Sequence, residues 1–232
     1  MTDPRRAVLD GPTYIRLLAG LAGADLRPDG AALSERLGQW IDWTHAVALS
    51  RALDGRLPAA AEGVVAAAPA GEVDGARAAL AEAIARAPEL AIGAPVDAEA
   101  GFAPFRERCK ALQQSMLAAT GRLRGRLRDR LAARPAPLDR LAEVDALMER
   151  VLGPREHALL GRVPDLLGAH FDRLRGQAGA QAGAAAAAVP PSPAVPGAWL
   201  DGFRRDMQAV LLAELDVRFH PLEGLLAALR TP

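Results

Sequence analysis

Residues 102–131 read FAPFRERCKALQQSMLAATGRLRGRLRDRL, and this stretch decides the fold. Phe102, Phe105, Cys109, Leu112, Met116, Ala119 and Leu123 recur at alternating steps of three and four, the heptad spacing of a coiled-coil seam. Leu127 and Leu131 carry the stripe on at steps of four. A helix over 104–133 spans about 45 Å at 1.5 Å per residue. Pro135 and Pro137 supply a turn, after which Leu138–Arg175 returns as one long helix or two shorter ones. Gly153-Pro154 and Pro164 fall inside that return, where each proline removes a backbone donor and can kink or restart a helix. Residues 102–175 therefore read as a long antiparallel helical hairpin.

Upstream, residues 1–101 read as an N-terminal helical segment. One helix is expected over Tyr14–Ala24, with Thr13 as its N-cap and Leu17, Leu18 and Leu21 as its apolar face. A second is expected over Ala31–Leu53, where Leu33, Leu37, Trp40, Ile41, Thr44, Val47 and Ala48 recur at helical steps. A third runs over Glu72–Arg86 and ends before Pro88; residues 55–71 and 87–101 read as loops. Downstream, residues 176–198 carry no charge and are dominated by Ala, Gly and Pro, the composition of a linker. Residues 199–232 then hold an amphipathic helix from Trp199, broken at Pro221, and a short clasp helix carrying Leu222, Leu225, Leu226 and Leu229. The expected fold class is all-α: an elongated helical bundle built on the antiparallel hairpin.

Composition agrees with that class. Hydrophobic residues make up 50% of the 232, but only 4% are aromatic. Roughly a fifth of the chain is alanine, well above average usage. Alanine favours helix while burying little area, and a core of Leu, Val, Ile and Met suits helix packing better than a sandwich or barrel. Formal net charge is zero but unevenly placed: residues 1–102 carry 9 basic and 14 acidic residues, 103–175 carry 15 and 9, and 176–232 carry 4 and 5. No domain-wide basic field is present. Cys109 is the single cysteine, so no intrachain disulfide can form. Arg5-Arg6 before Tyr14–Ala24 faintly imitates a signal peptide, but Asp10 and Arg16 interrupt it, and no run of about 18 apolar residues is present. A cytoplasmic location and no membrane span are expected.

No nucleophile, base and orienting group can be assembled, so no catalytic, cofactor or metal site is expected and the chain does not read as an enzyme. Cys109 with one of His45, His157, His170 or His220 would be needed for a thiol or zinc site, yet Cys109 lies on the seam, where a free cysteine acts as a small hydrophobe. Glu214 and Asp216, two apart on a helix, face different ways and make no acid/base pair. Arg122, Arg124, Arg126, Arg128 and Arg130 imitate a nucleic-acid patch. On a helix they flank Leu123, Leu127 and Leu131 from both sides, and Asp139, Glu143, Asp145 and Glu149 on the return can face them. Interhelical pairing is preferred to phosphate binding because no aromatic stacking partners are interleaved.

The features left over suit protein contact. Trp40 shares the face of Thr44 and reads as an anchor; Trp43 points elsewhere and is a candidate docking residue, as tryptophan is common at binding hot spots. Trp199, Phe203 and Met207 line the apolar face of the C-terminal helix, which must dock, either on this chain's own hairpin as the resting state or on a partner. The expected function is a helical scaffold or adaptor with a protein partner or as a homodimer. The alternative is a nucleic-acid-associated regulator using the five arginines.

Three stretches together carry a resemblance: Leu33–Leu53 (LSERLGQWIDWTHAVALSRAL), Phe102–Leu131 with its return through EHALLGRVPDLLGAHFDRLR, and Pro196–Arg230 (PGAWLDGFRRDMQAVLLAELDVRFHPLEGLLAALR). The pattern resembles a proteobacterial family of uncharacterised proteins, a domain of unknown function, over most of the chain. No catalytic residue carries over. The resemblance implies a gene setting beside a membrane protein and an OmpA-like, peptidoglycan-binding protein, and hence an accessory role at an envelope assembly with a membrane-protein partner. Gly153-Pro154 departs from the smoother helix expected of the family.

Overall fold

The computed structural model describes residues 13–23, 33–54, 70–94, 101–187 and 197–230. Among these, eight α-helices and one 3-10 turn follow in order: α1 Thr13–Ala22, α2 Leu33–Trp40, α3 Trp43–Asp54, α4 Ala70–Ala85, the turn Pro88–Leu90, α5 Ala103–Ala132, α6 Leu138–Leu160, α7 Val163–Ala187 and α8 Ala198–Arg230. No strand is found among the described residues, and the chain is an all-α helical bundle. None of the described helices is long and apolar enough to cross a membrane.

The chain divides into two compact units. The first joins Met1–Arg27, Leu80–Gln114 and Arg162–Val217; the second joins Pro28–Ala79, Ser115–Gly161 and Arg218–Pro232. The seam read from the sequence is buried in both: Phe105, Cys109 and Leu112 in the first, Met116, Leu123, Leu127 and Leu131 in the second.

An aromatic cluster forms the centre of the first unit. The ring of Phe203 on α8 meets Phe105 and Phe171 edge-on at 5.1 Å each, and Phe102 at 6.1 Å. Gly168 on α7 makes room for it: a Cβ there would stand 3.1 Å from the Phe102 ring. Arg204, 1% exposed, donates to the carbonyls of Glu89 and Ala94 at 3.1 and 2.6 Å and to Asp201 at 2.7 Å. Its fork thereby ties the 88–94 loop to α8, and Asp201 also accepts from the Gly93 amide at 2.9 Å. A buried guanidinium is tolerable here because its donors are occupied by oxygens placed for them. α1 packs on α7, where Arg173 donates to the Leu21 carbonyl at 2.7 Å.

The second unit is held by α5 and α6. Arg124 grips Asp145 with two hydrogen bonds of 2.8 and 2.7 Å, and Arg128 pairs with Glu149. Arg126 turns to Glu72 on α4, and Arg77 of α4 pairs with Glu223 at 2.5 Å while lying over the Phe219 ring. α3 packs against α6.

Four expectations need correction. The helix expected over Ala31–Leu53 is two helices, because Asp42 starts a new one: its Oδ1 accepts the His45 amide at 2.8 Å, an N-cap bond. The linker expected over 176–198 is helical as far as Ala187. Its alanines have the highest helix propensity, so lack of charge did not mean lack of structure; residues 188–196 lie outside the described residues. Pro221 does not break the last helix, and no separate clasp exists: α8 runs through it to Arg230. One lost donor is outweighed by burial of Phe219, Leu222, Leu225, Leu226 and Leu229 around it. Pro154 is likewise absorbed inside α6, whereas Pro164 sits in the first turn of α7, where its missing N–H costs nothing.

Candidate interaction groove

Trp40 and Trp43, three residues apart, have opposite fates because a helix ends between them. Trp40, the last residue of α2, lies under the Arg155 guanidinium at 5.3 Å, a cation–π contact that anchors it to α6. Trp43 is the first residue of α3 and is 81% exposed, the most exposed of the large hydrophobics among the described residues. The Asp42 cap fixes it there. Hydrogen bonding from the His45 amide, foremost, holds the Asp42 carboxyl below its ordinary range; the His45 ring adds to this with Nδ1 at 2.7 Å.

Behind Trp43 an open groove of about 700 Å³ runs along the α3–α6 pair. Trp43, Thr44, Val47, Ala48, Arg51 and Ala52 line it from α3; Glu143, Ala146, Leu147 and Arg150 line it from α6. Small side chains form the floor, with Ala52 and Leu147 at 4% and 3% exposure, while Trp43, Arg51, Glu143 and Arg150 stand exposed at the rim. The two helices run antiparallel. Arg140 near the start of α6 donates to the Leu53 carbonyl at the end of α3, 3.1 Å away. A two-helix floor between raised rims is a shape open to a protein partner.

The other candidate residues fall elsewhere. Phe203 and Met207 are wholly buried in the first unit, and Trp199 packs edge-on against Phe171 at 5.2 Å. Phe203 and Met207 are therefore not on an open interaction surface: their apolar face is docked within the chain, as expected of its resting state. Of the five arginines, Arg124, Arg126 and Arg128 hold carboxylates of α6 and α4, and Arg122 is exposed. Asp145 and Glu149 face them as expected. Glu143 is exposed at the groove rim, and Asp139 accepts from the Arg140 amide at its own helix start.

Cys109 is fully buried, and burial, with Glu214 nearby, pushes its thiol up to about 12, far from a reactive thiolate. Among the described residues no group of three or more His, Cys, Asp or Glu is arranged to hold a metal ion. One network had no sequence signal. The His170 ring is bonded at Nε2 to Asp206 and at Nδ1 to Arg173, 2.8 Å each. Since a guanidinium only donates, Nδ1 accepts and the proton sits on Nε2. It joins α7 to α8. The α6 wall of the groove was also missed; only its i, i+3, i+4, i+7 spacing hinted at it.

Fold and groove together define an all-α protein with an open, helix-lined cleft. Over residues 1–231 the chain matches the family model described as Protein of unknown function (DUF3348), and it belongs to that family. No curated protein and no solved structure matches it.

Proposed function

We propose that this protein is a non-catalytic helical scaffold or adaptor that acts through protein–protein contact at the α3–α6 groove. The observation that carries this is Trp43, 81% exposed at the rim of an open groove while the phenylalanine rings of the first unit pack on one another. Exposing an indole costs stability relative to burying it, and tryptophan in a contact patch is a common energetic hot spot. The envelope setting implied by the resemblance extends the proposal: the protein works in the cytoplasm, beside a membrane-protein assembly. The alternative, a nucleic-acid regulator, is less well supported because Arg124, Arg126 and Arg128 already hold carboxylates.

Affinity purification of the tagged full chain from its own host tests this, run in parallel for wild type and Trp43→Arg. The expected result is a protein complex held by wild type and lost with the variant, without a salt-dependent shift of DNA or RNA. Equal recovery of all proteins with both forms overturns the groove as the contact surface. A steep salt-dependent nucleic-acid shift, lost when the exposed Arg122 is changed to Gln, favours the alternative.

A further inference from the structure

The lining of the groove is spaced symmetrically about its middle, with complementary side chains at its two ends. On α6 the lining residues Glu143, Ala146, Leu147 and Arg150 are spaced three, one and three, the same in either direction, with opposite charges at the two ends. On α3 the lining falls into adjacent pairs at four-residue intervals, with bulky Trp43 at one end and small Ala52 at the other. Because α3 and α6 are antiparallel, both walls share one midpoint. Arg140 at the Leu53 carbonyl marks one end of the pair, and Arg155 over Trp40 marks the other.

Consider a two-fold axis lying across the two helices at that midpoint. It sets α3 against α3 and α6 against α6, each antiparallel. Glu143 of one copy then meets Arg150 of the second, and the same pair forms again at the other end. Trp43 of each copy comes down over Ala52 of the other, beside Arg51. Charge and bulk both exchange under the rotation, which is what an isologous interface requires of one surface patch. We infer that the occupant of the groove is a second copy of this chain, giving a two-fold dimer through α3 and α6. This rests on the groove being a protein-contact surface and names the partner.

The charge layout gives a test that an unfolded variant cannot imitate. Glu143→Arg alone places Arg against Arg at both ends of its dimer; Arg150→Glu alone places Glu against Glu. Mixed together, the two variants restore both pairs in a heterodimer, and the double variant restores them in its own dimer. Sedimentation equilibrium of the full chain at several concentrations reads the outcome. Wild type is expected to approach twice 24.3 kDa. Each single variant should associate about tenfold or more weakly, and the mixture and the double variant should regain dimer. A wild type that stays monomeric at every concentration overturns the second copy, while the Trp43-dependent capture of a different protein would still stand. A dimer that ignores both charge reversals, or single variants that fail to rescue each other, overturns the two-fold through this groove.

Discussion

Changing Phe203 to alanine removes the ring that ties α5, α7 and α8 together. The side chain is 0% exposed and meets four other rings, those of Phe102, Phe105, His170 and Phe171, two of them at 5.1 Å. A buried Phe→Ala change costs about 3–5 kcal/mol, from lost transfer energy and the cavity left behind. This site should fall in the upper half of that range, because edge-on ring pairs add roughly 0.5–1.5 kcal/mol each beyond area. For a chain of this length, roughly 2–4 °C is lost per kcal/mol, so the melting temperature should drop by roughly 8–20 °C. Phe203→Leu, which keeps most of the volume, should cost under half as much. Thermal unfolding followed by far-ultraviolet circular dichroism gives the numbers, with Leu159→Ala, at an exposed position away from the groove, as a control that should shift the midpoint little. A Phe203→Ala protein melting within about 2 °C of wild type would refute the docking of α8 on its own chain.

Arg204→Met should destabilise by about 3 kcal/mol, since it leaves two carbonyls and Asp201 without their donor, and hydrogen exchange should rise first in residues 88–94, including the Gly93 amide. Cys109 should ignore a thiol reagent at pH 8 in the native protein and react at once in denaturant; fast native labelling would contradict its burial. Acid should destabilise through Glu89, whose carboxyl is held below its ordinary 4.5 chiefly by hydrogen bonds from Arg108. The group is charged in both states above 4.5, so its contribution is complete there and is lost as pH falls through the depressed folded value. Arg108→Gln should lower stability at neutral pH and shrink this acid-side loss, as urea midpoints across pH will show.

The α5 helix and its buried stripe were legible because a heptad repeat states both the element and the face it buries. Phe105, Cys109, Met116 and Leu127 needed no partner to be assigned to a core. The break at Ile41–Asp42 was not legible, since the apolar positions around Trp40 and Thr44 keep helical spacing across it. Only the bond from the His45 amide to Asp42 reveals the cap. At Pro221 the local signal was outweighed by burial of the leucines on its far side, a tertiary effect that local propensity does not contain. Trp43 stood out from the sequence because it lies off the apolar stripe. Phe203 and Met207 could be read as docking residues but not settled between core and partner surface, because an amphipathic face looks the same whether it docks in cis or in trans. The α6 half of the groove was hidden for a related reason: that α3 packs beside Ala146 and Leu147 is a tertiary fact that local spacing does not contain.

The most direct test of the account places a photo-activated cross-linking side chain at position 43 of the full-length protein, expressed in its own host. The control is the same group at Leu159, an exposed apolar position at 67% that lies away from the groove lining. The account predicts a discrete protein adduct from position 43 and none from position 159, with mass spectrometry mapping the adduct to α3 of a second copy. Illumination that yields no protein adduct at 43, or equal diffuse labelling from both positions, would contradict the claim that this groove is where the protein makes its contact.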